Sequence, residues 1–64
     1  MVDPRPGDEG KWVHYTAHDG HVENGRISSW NDHVVFVRYH SGDTAAATDR
    51  KQLDWGYDSS ATNL

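Results

Sequence analysis

The chain has 64 residues, a formal net charge of −4 and no cysteine. A chain this short forms one domain and buries only about 60% of the surface its unfolded form exposes, which leaves little volume for a dry catalytic cavity. Lack of cysteine removes disulfides, thiolate zinc knuckles and thiol nucleophiles, and no apolar run approaches the roughly 18 residues of a membrane span.

The opening MVDPRPGDEG holds two prolines, two glycines and three acids. It lacks the charged and apolar regions of a signal peptide, so residues 1–10 are expected as a flexible arm, and the protein is expected in the cytoplasm. Turn pairs then recur at Asp19-Gly20, Asn24-Gly25, Asn31-Asp32 and Ser41-Gly42. Each pair holds residues that accept positive φ or bond their own backbone. Between them lie short segments rich in Val, Ile, Trp, Tyr, Phe and Thr, the pattern of a small all-β meander or barrel.

A first strand is predicted at about Lys11–Thr16, followed by a loop through Asp19-Gly20. The second runs from about Asn24 to Trp30. Asn31-Asp32 is expected as a two-residue type I′ turn into the third strand, His33–Tyr39. That frame sets Trp30 opposite His33, Ser28 opposite Val35, Arg26 opposite Val37 and Arg38 opposite Gly25. DTAAAT is expected as a fourth strand, because three alanines are too few to nucleate a helix. TDRKQL, capped at Thr48 or Asp49, reads as one 3₁₀ turn, with Leu53 plugging a barrel end and Asp54-Trp55 as a short fifth strand. The organisation expected is a flexible arm (1–10), one barrel domain (11–57) and a flexible tail (58–64).

Alternation puts Val35, Val37 and Tyr39 on one face of the third strand and Val34, Phe36 and Arg38 on the other. The expected core is Val13, Ile27, Val35, Val37, Ala46 and Leu53, with Val22 beside it. Trp30, Phe36 and Arg38 are left on an outer or half-exposed face. Residues 11–55 carry five basic and six acidic side chains, whereas the remainder carries one and four. The acidity sits mostly in the ends, and no basic stripe is indicated.

Five short strands, a glycine before the first, a long first loop and a 3₁₀ turn before the last resemble an SH3-like barrel of the Tudor and KOW kind. PGDEGKWVHY resembles the Gly-Asp-x-Val opening of such barrels, with Trp12-Val13 at the apolar positions. The segment Gly25-Arg26-Ile27-Ser28-Ser29-Trp30-Asn31-Asp32, followed by Val35-Phe36-Val37-Arg38-Tyr39, also resembles a family of small proteins encoded by tailed phages and prophages. This resemblance spans about residues 7 to 55. It implies the barrel and a viral origin, and carries no activity with it.

Seven aromatics exceed what so small a core can hold. Tyr15, Trp30, Phe36 and Tyr39 are expected to converge on one patch with Trp30 at its centre and Arg26 and Arg38 at its rim. Such a patch binds proline-rich peptides, methylated ammonium groups or unstacked bases. The plainer reading is aromatics wrapping the barrel and burying on one another, with the arginines paired to Glu23 or Asp43. His18 and His21 flank a glycine with no third ligand placed, so no metal is expected. No nucleophile elbow, phosphate loop or apolar-flanked acid pair exists, so neither an enzyme nor a cofactor is expected. The expected function is a phage or prophage binding module that docks a host or phage protein. The alternative is a nucleic-acid binder using the same aromatics and arginines. No membrane partner is expected, and the chain is expected as a monomer or weak homodimer.

Overall fold

The computed structural model of the protein describes residues 1–39 and 44–59. Five strands are formed: β1 (Trp12–Thr16), β2 (Val22–Trp30), β3 (Val35–Tyr39), β4 (Ala45–Thr48) and β5 (Leu53–Trp55). All pair antiparallel in one sheet of order β4-β3-β2-β1-β5. A 3₁₀ turn at Arg50–Gln52 precedes β5, capped by Asp49, whose carboxylate accepts the Lys51 N–H at 2.9 Å. The all-β class, the five strands and this turn agree with expectation. The turn expected at Ser41-Gly42 lies outside the described residues. No helix of the described residues is long and apolar enough to cross a membrane.

The β2–β3 turn sits one residue later than expected. Asn31 N–H donates to the Val34 carbonyl at 3.0 Å, while Asn31 Oδ1 accepts from His33 N–H at 2.7 Å and Val34 N–H at 2.9 Å. The loop is therefore Asp32-His33, and β3 begins at Val35. A type I′ turn requires positive φ at both central residues, and no described non-glycine residue has it. The Asn31 carboxamide makes the turn instead, in the manner of an Asx-turn. Its own carbonyl, released from the turn, accepts from Nη2 of Arg50.

Register follows from that shift. Trp30 pairs with Val35 and Ser29 with Phe36, then a bulge at Ser28 resets the ladder so that Ile27 pairs with Val37 and Arg26 with Arg38. Arg26 is thus not opposite Val37, and Gly25 faces Tyr39 rather than Arg38. An extra residue in one strand lets side chains at odd spacing share a face. Ile27 and Trp30 both turn inward for this reason, and Trp30 packs against the core.

The core is Val2, Val13, Ile27, Val35, Val37 and Leu53, with Tyr15, Trp30 and Tyr39 packed against it. Ala46, expected inside, is exposed, and Val22 is only half-buried. Val2 was expected in a lead-in and is instead fully buried. Its N–H donates to the Arg50 carbonyl at 3.1 Å, and the Arg50 Nε stands 3.8 Å from Asp3. Just before β1 the pairing with β2 is extended: Gly10 N–H donates to the Ile27 carbonyl at 2.8 Å and Ile27 N–H to the Lys11 carbonyl at 3.0 Å. Asp8 accepts the Arg5 N–H at 2.9 Å and holds Lys11 Nζ at 2.8 Å. The hydrogen bond to Lys11 lowers its carboxyl below the usual range, helped by the one from Arg5.

Asn24-Gly25, a turn signal in the sequence, lies within β2. Gly25 is there because β3 approaches too closely for a side chain. A Cβ at that position meets Val37 Cγ1 at 2.6 Å and the Arg38 carbonyl oxygen at 2.8 Å. Asn24 is fully buried and binds the Asp58 backbone twice: Nδ2 donates to its carbonyl at 3.0 Å, and Oδ1 accepts its N–H at 2.9 Å.

Candidate functional site: a tyrosine groove with acidic walls

Pleating sorts the sheet into two faces, and cross-strand partners share a face. Val13 points into the core, so Tyr15, two residues on, points the same way; Val35, Val37 and Tyr39 do likewise on β3. Tyr15 pairs with Glu23 and Leu53, and Tyr39 with Gly25. Both tyrosines stand at the strand ends, where the aliphatic core stops. Their rings meet edge to face with centroids 6.2 Å apart, the arrangement favoured by the ring quadrupoles. The missing side chain at Gly25 is what lets the Tyr39 ring lie down over β2, since Tyr39 Cδ1 is 3.0 Å from where its Cβ would be.

A groove of about 320 Å³ opens beside this pair, with Glu23, Ala46, Thr48 and Asp49 in its wall. That is the low end of small-ligand sites and enough for one long side chain. Tyr39 Oη is 2.7 Å from Thr48 Oγ1, which in turn donates to the Ala46 carbonyl at 3.2 Å. Thr48 has a single proton, so Tyr39 donates and Thr48 accepts. Burial pushes the Tyr39 phenol up to about 12, opposed by its bond to Thr48, with Glu23 and Tyr15 raising it further. Among the described residues, the charged ones of the lining are Glu23 and Asp49, and no lysine or arginine lines it. The groove is therefore aromatic, hydroxyl-bearing and negative.

The opposite face has a different character. Trp12, Arg26, Arg38 and Ala45 form one row across four strands. The Arg26 guanidinium lies 4.6 Å from the Trp12 ring centroid, and Tyr57 meets the same ring edge-on at 5.0 Å. Arg26 and Arg38 are both exposed and directly paired, which places their Cβ atoms about 5 Å apart. Among the described residues neither forms an ion pair.

The six residues singled out in the sequence therefore divide. Tyr15 and Tyr39 come together in the groove. Arg26, Arg38 and Phe36 lie on the opposite face, Phe36 pairing with Ser29 and Ala47. Trp30 is half-buried beside Val35. The single patch expected of Tyr15, Trp30, Phe36 and Tyr39 is not formed, because Phe36 alternates outward and the bulge turns Trp30 inward. Glu23, Thr48 and Asp49 were not foreseen in the groove. Glu23 was within reach, since a hairpin between β1 and β2 sets it opposite Tyr15. Trp12, the stacking partner of Arg26, was assigned only an apolar role. No family model matches the chain, and neither a curated protein nor a solved structure matches it.

Proposed function

We propose that the chain is a small protein-binding module that takes a cationic side chain of its partner into the groove beside Tyr15 and Tyr39. The observation that carries this is the joint presence of two tyrosine rings and two carboxylates in one wall that holds no lysine or arginine among the described residues. A lysine or arginine entering there gains ring-face attraction and a counter-ion together, about 0.5–2 kcal/mol from the ring alone depending on desolvation. The strand order, the long first loop and the 3₁₀ turn before β5 support reading the sheet as an SH3-like barrel of the phage kind, docking a host or phage protein. The nucleic-acid alternative asks the aromatics and arginines to act on one surface. Glu23 and Asp49 beside the tyrosines repel phosphates, and Arg26 and Arg38 lie across the sheet from that pair, with Trp12 and Phe36, so the groove itself favours the protein reading.

The test is a titration with a short arginine- and lysine-containing peptide, followed by backbone amide shifts. Shifts at Tyr15, Glu23, Tyr39 and Thr48, weakened at least fivefold in Tyr15→Ala, are the expected result. Saturable shifts confined to the Arg26–Arg38 face, or equal affinity for Tyr15→Ala, overturn the reading.

A further inference from the structure

We infer that the cationic partner of the groove is the arginine face of a second copy of this chain, so that the protein associates head to tail. The inference rests on the groove reading above and names its occupant. The two faces of one sheet carry complementary chemistry. One presents Tyr15, Tyr39, Glu23 and Asp49 around an open groove; the other presents Arg26 and Arg38 side by side and exposed.

Like charges directly opposed on neighbouring strands are unfavourable. Stacking on Trp12 steadies Arg26, but no carboxylate of the described residues neutralises either arginine. A second copy supplies what is missing: the Arg38 guanidinium enters the groove beside the tyrosines, against the wall that carries Glu23 and Asp49, while Arg26 flanks the mouth. A guanidinium suits this cleft because it is planar, weakly hydrated and stacks on aromatic rings. Because donor and acceptor surfaces lie on opposite faces, one copy cannot satisfy both with the same neighbour through a two-fold axis. The contact is heterologous, and it continues into a ring or filament instead of stopping at a dimer.

Two exposed positions permit a test that spares the core. Ala46→Arg blocks the groove from its rim and leaves the arginine face intact; Arg38→Glu reverses the face and leaves the groove intact. Circular dichroism establishes that each variant is folded. Sedimentation equilibrium of the wild-type protein should show the weight-average mass rising with concentration past that of a dimer. Each variant alone should stay monomeric over the same range, with association weakened at least about tenfold, or 1.4 kcal/mol. Their equimolar mixture should associate and stop at one copy of each, about twofold the monomer mass, since one good surface remains on each partner. A wild-type protein that stays monomeric to millimolar concentration, or stops at a dimer, overturns the inference. So does a variant pair that associates as the wild type does. A monomeric wild type that still binds the cationic peptide in the groove overturns only the second copy as occupant. Failure of both experiments overturns the groove reading as well.

Discussion

Adding one methyl group at Gly25 tests the central packing claim. In Gly25→Ala the new Cβ lies 2.6 Å from Val37 Cγ1, 2.8 Å from the Arg38 carbonyl oxygen and 3.0 Å from Tyr39 Cδ1. The methyl of the fully buried Val37 can turn away only by disturbing its core packing, and the carbonyl belongs to the β2–β3 ladder and moves only if the strands part. Overpacking of this kind costs about 1–3 kcal/mol. Against it stands the lower entropy of an unfolded alanine, worth about 0.4–1 kcal/mol. The clash wins, leaving a net loss of about 1–2 kcal/mol. A domain of this length holds only about 3–10 kcal/mol in all. Urea unfolding followed by tryptophan fluorescence should show the midpoint fall, and melting should drop by about 5–15 °C. Val37→Ala removes the nearest obstacle, so the double variant should be at least about 0.5 kcal/mol better than the sum of the singles. A Gly25→Ala protein within about 0.5 kcal/mol of wild type, or strict additivity, refutes the close-approach argument.

Two further expectations follow from the buried polar groups. Asn24→Ala strands the Asp58 N–H and carbonyl together, and should cost about 1–3 kcal/mol; hydrogen exchange at the Asp58 amide should rise to the rate of an open chain, and unchanged protection refutes the clamp. Tyr39 holds its proton to about 12, against about 10 when unfolded. Between those values the unfolded chain has lost a proton that the native protein keeps, so stability is complete below pH 10 and falls as pH climbs to about 12. Chemical denaturation across that window should lose this decline in Tyr39→Phe, and an identical slope in both proteins contradicts the buried phenol.

Strand number and the 3₁₀ turn were readable because they depend on local chemistry: β-branched runs, turn residues and a capping aspartate at Asp49. What escaped depends on distance in space. Nothing local distinguishes a glycine needed for positive φ from one needed because another strand passes close, so Asn24-Gly25 carries a turn signal and marks the start of the predicted second strand, whereas β2 begins two residues earlier and runs through it. The extra residue at Ser28 has no composition signal either, yet it decides which face Trp30 and Arg26 occupy. The site divided along the same line. Tyr15 and Tyr39 follow from strict alternation on β1 and β3, whereas the arginine pair appears only once the register across the Asn31 turn is known. Val2 escaped for a third reason: a single valine among prolines and acids has no periodicity to betray burial.

The contacts that close the molecule all join residues far apart along the chain: Val2 to Arg50, Val13 to Trp55 and Asn24 to Asp58. The β2–β3–β4 meander can assemble locally, but it exposes its valines until both ends of the chain return. Loop-closure entropy must therefore be overcome before most of the burial is gained, which sets folding on the millisecond-to-second scale of β topologies and not the microseconds of helical ones. During that interval the edge of β1 that β5 later covers is open, and a neighbouring chain can supply the pairing that Leu53–Trp55 normally provides.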